Sequence, residues 1–549
     1  MDSVSEIQRF DLISVDQILP RKKSSFLESI SEKFKKEVVP FAPNKEELSG
    51  KGFYHNGVEY VHHSGLAPSE TAFFRLNKFQ HILILSMGLF SLLAFIVNWH
   101  AFLVLSLFIL SILYTIDIFF NLFLISKSFA KYPEIKVSKS EIKGVNGELL
   151  PTYTIFCPLY HEWRVLPQFV TAISRLNYPK NKLQVMLLLE EDDRESIEKI
   201  KEMKLPEYFE MVIVPDSMPK TKPKACNFGL MKARGEYSVI YDAEDVPERD
   251  QLIKAVLAFE KSEKNVVCIQ AKLNFYNPHH NTLTRLFTAE YSLWFDLILT
   301  GLQAVNAPIP LGGTSNHFKT ESLRNLRGWD AFNVTEDCDL GMRLVKGGYR
   351  TAVVDSTTHE EANSNFGNWF GQRTRWIKGY IQSYFVHMRN PNEWKNSIKN
   401  PQLFMFQLIV GGKVLSMFIN PILWLSTVLY FAERTALGPF IQSLFPGPSL
   451  YIGFFAAVVG NFLYFYYYMI GCARRGYFEL IKFGLLIPFY WLMMSVATWS
   501  AIYKIIVEPH YWFKTKHGLH FSSKRAVSQA NSVVGDTLVD TRIAGLAVN

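Results

Sequence analysis

Three clusters of acidic residues lie in the central part of this chain of 549 residues. Carboxylates that share one rim of a sheet repel one another unless a cation or a hydrogen-bonded ligand compensates their charge. The clusters therefore indicate a hard metal ion, with Mg²⁺ or Mn²⁺ the best suited, or a ligand rich in hydroxyl groups. They consist of Asp192 and Asp193, of Asp242, Glu244 and Asp245, and of Glu336 and Asp337.

Each cluster also has a simpler interpretation. The first two could be solvated acids at helix N-termini, where negative charge is favourable in any case. In the third, Thr335 could cap the helix that follows it. Because the clusters occur together in one stretch of the chain, they favour a site over unrelated surface features.

A helix rich in aromatic and cationic residues follows the third cluster. Its sequence, NWFGQRTRWIKGYIQSYF, includes Gln372, Arg375 and Trp376. Such a helix commonly lies in a membrane interface. That interpretation leaves the glutamine unexplained.

Short apolar stretches rich in β-branched residues predict the strands that carry the acidic clusters. TYTIFCPLY, LQVMLLLEEDD and YSVIYDAED end in polar or acidic residues, and helical patterns such as DQLIKAVLAFEKS lie between several of the strands. Residues 150–390 are therefore predicted to form an α/β domain of parallel βαβ units. In an open parallel sheet, ligands bind beyond the carboxyl ends of the strands, which is where the clusters lie.

Apolar blocks on both sides of this domain predict a membrane protein. Hydrophobic residues make up 48% of the chain and aromatic residues 15%, which is rich for a soluble enzyme. Residues 76–130 contain two blocks that approach or exceed the roughly twenty residues of a spanning helix, and they predict a transmembrane hairpin. Lys78, Lys127 and Lys131 place both ends of the hairpin in the cytoplasm.

Residues 400–507 are predicted to form a C-terminal membrane region with three further apolar blocks. The loop that carries Arg474 and Arg475 is predicted to be cytoplasmic. The last block leaves two possibilities open. One span would put the basic tail, residues 508–549, outside the cell against the positive-inside tendency, and about thirty residues are short for two spans.

Composition argues against several classes of protein. The net charge of +8 is modest, and Lys and Arg form no long basic tract, so nucleic acid is not a predicted partner. The five cysteines form no CxxC pair, which argues against a zinc site or a disulfide framework and fits a catalytic domain in the reducing cytosol. Residues 1–75 lack the apolar core of a signal peptide and are predicted to be a cytosolic segment.

Four ordered motifs resemble those of the processive membrane glycosyltransferases of family two, which include the cellulose, hyaluronan, curdlan and mixed-linkage β-glucan synthases. The motifs are the first Asp pair, a D-x-D-like Asp-Ala-Glu at 242–244, Thr-Glu-Asp at 335–337 and Q-x-x-R-W at 372–376. TKPKACNFGL and LGGTSNHF extend the resemblance. It implies a GT-A type nucleotide-sugar transferase domain with a mostly parallel sheet, inserted between transmembrane helices of the inner (cytoplasmic) membrane.

The resemblance also implies roles for individual residues. Asp337 would be the general base, with Glu336 beside it, and a divalent cation would neutralise the departing diphosphate. Asp242 and Glu244 would hold Mg²⁺ or Mn²⁺, and Asp245 is an alternative ligand because the motif has Glu where the family usually has Asp. The implied nucleotide contacts are Asp192, Asp193, Lys224, Tyr160, Glu162 and Arg375, and the implied acceptor contacts are Gln372, Trp376, Gly313 and Thr314.

The segment YWFKTKHGLH stands where the family has a mobile loop over the active site. Lys514, Thr515 and Lys516 would then reach the nucleotide. A basic anchor in the membrane interface is the alternative.

The function implied is polymerisation of a β-glucan, with β-1,3, β-1,4 or mixed linkage, from UDP-glucose in the cytosol, followed by transfer of the polymer across the membrane. The partners implied are the UDP-sugar, the growing β-glycan, membrane lipids and accessory secretion proteins. One alternative is addition of a single sugar to a lipid carrier, and another is synthesis of a different β-glycan from UDP-GlcNAc or GDP-mannose. A transporter or signalling protein that only binds a nucleotide sugar would need no general base.

Overall fold

The structure is a computed structural model that describes residues 53–55, 58–66, 70–129, 133–394 and 400–515. Most of the predicted N-terminal segment 1–75 and most of the tail 508–549 therefore lie outside the described residues. Lys131 and Lys516 also lie outside them.

The described part of the N-terminal segment packs against the α/β domain. Strands β1 (Phe53–His55) and β2 (Val58–Tyr60) form an antiparallel pair. Further along, the backbone N–H of Ala72 donates to the carboxylate of Asp330 at 2.6 Å, and the ring of Phe73 contacts that of Phe332. This segment is thus part of the body that carries the third acidic cluster.

A helical hairpin follows, formed by α1 (Lys78–Val97) and α2 (Trp99–Ser128). Asn77 caps α1 in a capping box with Gln80, and Asn98, the residue between the helices, caps α2. The side chains of α1 are nearly all exposed, and they are apolar along the helix. Such a surface suits a lipid environment.

The domain between the membrane helices is built on an eight-stranded sheet with the order β5-β4-β3-β6-β9-β8-β10-β7 in the described chain. The pairs of β3 with β4, β4 with β5, β3 with β6 and β8 with β10 are parallel, whereas β9 and β7 run antiparallel to their neighbours. The strands are β3 (Tyr153–Leu159), β4 (Leu183–Glu190), β5 (Phe209–Val214), β6 (Tyr237–Ile240), β7 (Val246–Pro247), β8 (Val266–Phe275), β9 (Asn316–Lys319) and β10 (Arg350–Glu360).

Helices cover both faces of this sheet. A hydrophobic cluster lies on each face of the sheet, and alternate residues of β4 point into one or the other. Leu187 and Leu189 belong to one cluster, and Met186 and Leu188 belong to the other. The helices are α3 (Lys139–Gly144), α4 (Leu166–Ser174), α5 (Arg194–Glu202), α6 (Lys222–Lys232), α7 (Gln251–Lys261), α8 (Thr282–Leu293), α9 (Leu299–Ala304), α10 (Thr320–Asn325), α11 (Glu336–Lys346) and α12 (Phe366–His387).

The C-terminal region is helical and shares a hydrophobic cluster with the sheet. The cluster that contains Met186 and Leu188 also includes Ile419 and Tyr464. The helices are α13 (Pro401–Phe406), α14 (Lys413–Ala432), α15 (Gly438–Leu444), α16 (Pro448–Phe455), α17 (Asn461–Arg474) and α18 (Ile487–Val507). In the described residues, five stretches are long and apolar enough to cross a membrane, namely Lys78–Val97, Trp99–Ser128, Pro401–Ala432, Pro448–Arg474 and Phe478–Val507.

Both ends of α18 contact the α/β domain, although its length and composition would allow it to cross a membrane. Near its start, the hydroxyl of Tyr490 donates to Glu290 of α8 at 2.6 Å. Just beyond its end, Lys378 of α12 donates to the carbonyl of Glu508 at 2.9 Å, and Gln382 donates to that of Pro509 at 2.8 Å. The helix therefore returns the chain to the side from which it started.

The exposed face of α18 is an apolar stripe with helical spacing, which fits a helix lying in the membrane interface. The described residues that follow α18, up to Thr515, lie against the α/β domain, and the side of the membrane on which they lie stays a prediction. The stripe consists of Phe489, Leu492, Val496, Trp499, Tyr503 and Ile506.

Candidate active site

A cleft of about 680 Å³ opens at the carboxyl ends of the parallel strands, between the sheet and helices α11, α12 and α18. It gathers residues from β3, β6 and β10 and from the two helices that the sequence singled out. Most of the predicted site residues line it. They are Tyr160, Glu162, Asp242, Glu244, Gly313, Thr314, Glu336, Asp337, Gln372, Arg375 and Trp376.

Asp337 lies in the first turn of α11. Its Oδ1 accepts a hydrogen bond from the N–H of Cys338 at 2.7 Å, and a Cβ on Gly313 would lie 3.4 Å from its Oδ2. Glycine therefore lets the loop approach the carboxylate closely. Burial raises the pKa of Asp337 above its ordinary value, while the N–H of Cys338 and the charges of Lys222 and Arg375 act in the opposite direction.

Glu336 precedes this aspartate and is 4% exposed. Burial, followed by the charge of Asp337, raises the pKa of Glu336 to about 8. The two neighbouring carboxyl groups therefore disfavour ionisation of each other. Thr335 stands at the N-cap position, but its side chain does not cap α11, so the capping interpretation of this motif is wrong.

Arg375 faces the acidic pair from α12. Its Nη1 donates to the carbonyl of Val334 at 3.0 Å, and its guanidinium lies 4.5 Å from the ring centroid of Trp512. The charges of Glu336 and Asp337 act on it, although burial lowers its pKa overall. An arginine keeps its charge in such a setting and can bind two phosphate oxygens at once.

The second acidic cluster divides into residues that face the cleft and one that does not. Asp242 Oδ1 accepts a hydrogen bond from Lys222 Nζ at 2.5 Å, and the side chain of Glu244 lines the cleft. Asp245 instead accepts hydrogen bonds from the N–H of Asp242 and the hydroxyl of Thr314. Asp245 therefore stabilises the loop that follows β6. Asp242 and Glu244 are the two carboxylates of this cluster that face the cleft.

These carboxylates fit a divalent cation. Burial, followed by the charges of Asp242, Asp245 and Glu162, holds the pKa of Glu244 well above its usual range, so a cation would relieve strong repulsion. In the described residues, no group of three or more His, Cys, Asp and Glu is already arranged as a metal site. Mg²⁺ commonly takes one or two protein carboxylates and completes its shell with phosphate and water, and Asp242 and Glu244 match that requirement.

Lys222 reaches the cleft, whereas the lysine selected from the sequence does not. The side chain of Lys224 is fully buried and donates to Glu190 at 2.8 Å and to the carbonyl of Ser217 at 2.7 Å. Lys222 donates to the carbonyl of Gly313 at 2.7 Å in addition to Asp242. The sequence TKPKA contains both lysines, and nothing in its pattern indicates which one faces a ligand.

The first Asp pair also divides. Asp192 lies at the rim, where it accepts hydrogen bonds from the hydroxyl of Tyr160 at 3.1 Å and from Lys220 at 2.9 Å. Asp193 is buried, caps α5 and accepts a hydrogen bond from the N–H of His161 at 2.6 Å. The structure does not bring Asp193 to the cleft, because capping and loop bonds occupy its carboxylate.

Trp376 lies in an aromatic wall on the opposite side of the cleft. Its ring centroid is 6.1 Å from that of Phe287 and 6.4 Å from that of Tyr291. The guanidinium of Arg373 lies 4.7 Å from the Trp376 centroid and is held by Glu290. This cation on the indole was not anticipated from the sequence. Gln372, the remaining predicted acceptor residue of this helix, lines the same cleft.

The segment after α18 enters the cleft. Lys514 Nζ is 3.5 Å from Glu162 Oε1 and 5.0 Å from the ring centroid of Tyr160, and Thr515 lines the cleft. A Cβ on Gly371 would come within 2.3 Å of the Phe513 ring, so this approach requires glycine. Lys514 and Thr515 therefore lie in the cleft, and their role in binding the nucleotide stays a prediction.

A second cavity, of about 120 Å³, lies beside the cleft in the helical region. It lies between α2, α14, α17 and α18, and its lining includes the polar residues Asp117, Asn121, Ser416 and Asn420. Asp117 accepts a hydrogen bond from the hydroxyl of Tyr464. The residues shared by the cleft and the cavity are Glu290, Trp294, Lys413, Met417 and Met494.

An α/β sheet with acidic loops at its carboxyl edge, set between apolar helices, defines a GT-A type glycosyltransferase domain in a chain with membrane-spanning candidates. Residues 238–512, about half of the chain, match the model of the family described as Glycosyl transferase family group 2. The chain belongs to this family.

Several known proteins are similar to this chain. "Probable glycosyltransferase YdaM" of Bacillus subtilis is 27% identical over 240 residues, which are 43% of this chain and 56% of that protein. "Probable glucomannan 4-beta-mannosyltransferase 7" of rice, Oryza sativa subsp. japonica, is 27% identical over 248 residues, 44% of this chain and 42% of that protein. The alignments thus span about half the length of these relatives.

Among solved structures, the mannosyltransferase PcManGT from Pyrobaculum calidifontis in complex with GDP-Man and Mn²⁺ is similar at 17% identity. The alignment covers 73% of this chain and 99% of that one, with a TM-score of 0.44.

Proposed function

We propose that the protein is an inverting, processive glycosyltransferase that polymerises a β-glucan from UDP-glucose on the cytosolic side and passes the polymer into its own membrane region. The observation that carries this proposal is the position of the cavity directly beside the cleft, since the two share lining residues such as Glu290 and Trp294. An enzyme that releases each product to solvent needs no such neighbouring cavity.

In the reaction proposed, Asp337 takes the proton of the acceptor hydroxyl as that oxygen forms a bond to the anomeric carbon of the donor. The bond between the anomeric carbon and the phosphate oxygen breaks, and its electron pair leaves with the nucleoside diphosphate. Attack opposite to the leaving group inverts the anomeric configuration. The position of Asp337 in the wall of the cleft, close to Gly313, supports the role of base, because a carboxylate there can face an acceptor hydroxyl.

Cationic side chains beside the acidic residues of the cleft would stabilise the negative charge of the departing diphosphate. Lys222 and Arg375 are the cleft cations whose charges act on Asp337, and we assign them to the phosphates. A divalent cation held by Asp242 and Glu244 would neutralise further charge on the leaving group. Tyr160, Glu162 and the rim residue Asp192 are assigned to the nucleoside, together with Lys514.

On the acceptor side, Trp376 and Gln372 are assigned to the terminal sugar of the growing chain, and Gly313 and Thr314 to the loop against which it rests. The aromatic wall around Trp376 lies between the acidic cluster and the entrance to the cavity, which supports this assignment. Carbohydrate rings pack on aromatic faces through their apolar C–H surfaces.

A second candidate is the same reaction with GDP-mannose, which would yield a mannose-containing β-glycan. The name of the rice relative favours it, since that protein is called a glucomannan 4-beta-mannosyltransferase. Both donors offer a diphosphate to the same cations and carboxylates. The difference between them lies in a few hydrogen bonds to the sugar and the base.

The test is to incubate the purified full-length chain in lipid nanodiscs with Mn²⁺ or Mg²⁺ and either UDP-[¹⁴C]glucose or GDP-[¹⁴C]mannose. We expect radiolabelled polymer of high mass from UDP-glucose, which a linkage-specific β-glucanase degrades. The control is Asp337→Asn in the same preparation. Label that is extracted into organic solvent would instead indicate transfer of single sugars to a lipid carrier, and polymer from GDP-mannose alone would establish the second candidate.

A further inference from the structure

One acidic residue of the cleft has no role in the site as described so far. Glu360 is the last residue of β10, paired in register with Phe275 at the end of β8, and its side chain lines the cleft. Its carbonyl oxygen accepts a hydrogen bond from the N–H of Tyr276 at 3.0 Å, which fixes the backbone. The residue is therefore held firmly at the carboxyl edge of the sheet, where ligands of such domains bind.

The surroundings of Glu360 place it between the two halves of the site. Its neighbours on β10, Thr358 and His359, pair with Pro247 and Val246 of β7, which directly follow the loop of the second acidic cluster, so that loop lies on one side. On the other side its pairing partner Phe275 has its ring 4.3 Å from that of Tyr291, which stacks against Trp376 in the acceptor wall. The space between the leaving diphosphate and the acceptor is the space that the transferred sugar must fill.

Within the described residues, the carboxyl group of Glu360 has no hydrogen-bond or ion-pair partner. A carboxyl group in a largely buried wall without a partner is costly, and a ligand that donates hydrogen bonds offsets that cost. A second phosphate or a nucleobase carbonyl would be a poor ligand here, since Asp242 and Asp245 are close by. Sugar hydroxyls donate hydrogen bonds, and two adjacent hydroxyls can reach both carboxyl oxygens.

We propose that Glu360 binds hydroxyl groups of the hexose that is transferred from the donor and so helps to determine which sugar the enzyme accepts. This inference rests on the proposed function, because it places a nucleotide sugar in the cleft. It adds a residue that the motifs named above do not contain.

The experiment compares Glu360→Gln and Glu360→Ala with the wild-type chain in nanodiscs. Affinities are measured by calorimetry with Mn²⁺ for UDP-glucose and for UDP alone, and the KM for UDP-glucose is measured by UDP release. Glu263→Gln is the matched control, since it makes the same acid-to-amide change on an exposed side chain paired with Arg350 at the start of β10.

In both variants we expect the affinity for UDP-glucose to fall about tenfold or more, with KM rising in parallel, while the affinity for UDP changes less than about twofold. The wild type should also discriminate against at least one UDP-deoxyglucose by about tenfold or more, and the variants should lose most of that preference. A residue that only supports the fold would weaken UDP and UDP-glucose binding alike.

Three results would overturn the inference. Unchanged affinity for UDP-glucose would show that the carboxyl does not contact the sugar. A higher Mn²⁺ concentration for half-maximal activity would make Glu360 a metal ligand, and equal losses for UDP and UDP-glucose would make it structural. Failure of the proposed function looks different, because the wild type would then transfer no sugar from any nucleotide donor, whereas the binding measurements would still report on Glu360.

Discussion

The cleft and the cavity behind it are built from different kinds of side chain. The cleft gathers carboxylates and cations, among them Asp242, Asp337, Lys222 and Arg375, on rigid strand ends and helix starts. The cavity is lined by apolar side chains together with tyrosines, amides and hydroxyls, and its aspartate on α2 is hydrogen-bonded by Tyr464. In the proposed reaction, charge in the cleft compartment would stabilise the departing diphosphate, whereas the cavity compartment, with few charges, would let a sugar chain move.

A separate apolar cluster of Leu107, Ile441, Leu444 and Phe445 packs α15 against α2, and none of these four residues lines the cavity. Substitutions in the first compartment should stop the chemistry, and substitutions in the second should alter the polymer and spare the bond-breaking step.

The largest effect is expected for Asp337→Asn. The amide keeps the shape of the side chain but cannot accept the proton, so transfer should fall by about 10²–10⁴-fold. UDP binding, measured by calorimetry, should stay within about twofold of the wild type. A variant that retains more than about a tenth of the activity would remove Asp337 from the role of base.

The next largest effect is expected on the Mn²⁺ concentration that activity requires. This measurement decides whether Glu244 or Asp245 is the second metal ligand. Glu244→Gln removes a carboxylate that faces the cleft and should raise the Mn²⁺ concentration for half-maximal activity by about tenfold or more. Asp245→Asn disturbs the hydrogen bonds from Asp242 and Thr314 and should mainly lower thermal stability, by about 1 kcal/mol.

Titrations of activity with Mn²⁺ after EDTA treatment, with melting curves for both variants, measure the two effects. If Asp245→Asn shifts the metal requirement more than Glu244→Gln does, the assignment of the second ligand is reversed. Full turnover of the wild type in excess EDTA would contradict the metal site altogether.

Trp376→Ala tests the boundary between the compartments. Loss of the indole removes about 1–2 kcal/mol of apolar contact at about 25 cal/mol per Å², which corresponds to roughly tenfold weaker acceptor binding. Polymer yield should fall by that factor, while hydrolysis of UDP-glucose by water, which needs no acceptor, should fall much less. Arg375→Ala is the comparison, because it should depress both reactions. Equal losses in the Trp376 variant would refute the stacking role.

The pH dependence of the rate tests how the carboxyl groups of Glu336 and Asp337 influence the ionisation of each other. Asp337 works only when ionised, and burial raises its pKa, so the rate should be lost as pH falls through that pKa. Glu336, with a pKa of about 8, should ionise at higher pH and produce a second change in the profile. In Glu336→Gln, UDP release as a function of pH should keep the acidic limb and lose the change near 8. A profile that is unaltered by this substitution would contradict the coupling.

The smallest effect is expected inside the cavity. Ser416 lines it and lies three residues beyond Lys413, which the cavity shares with the cleft. Ser416→Leu should narrow the passage and shorten the polymer by a few fold, whereas Ser416→Ala should preserve its width. Size-exclusion chromatography of the product gives the lengths, and UDP hydrolysis should be the same in both variants. Equal polymer lengths would argue against this route for the product.

Much of this site could be predicted from local sequence. Motifs such as Thr-Glu-Asp and Q-x-x-R-W fall on helix starts and faces that point into one cleft, because the chain reaches the carboxyl edge of the sheet after every parallel strand. The sequence did not distinguish between two neighbouring lysines when it assigned a nucleotide contact. Lys222 and Lys224 differ by two residues, and only the packing of α6 decides that the first faces the cleft while the second is buried against Glu190.

The sequence by itself determined the class of fold, the order of its motifs and the apolar blocks, because these depend on local periodicity and on side-chain chemistry. The tertiary structure alone decided the remaining features. Among them are the return of α18 to the α/β domain, the entry of Lys514 into the cleft and the position of Glu360 between the metal loop and the acceptor wall. These features depend on contacts between residues that are far apart in the chain, such as Lys378 with Glu508 and Lys514 with Glu162, and no pattern within one segment encodes which distant partner a side chain meets.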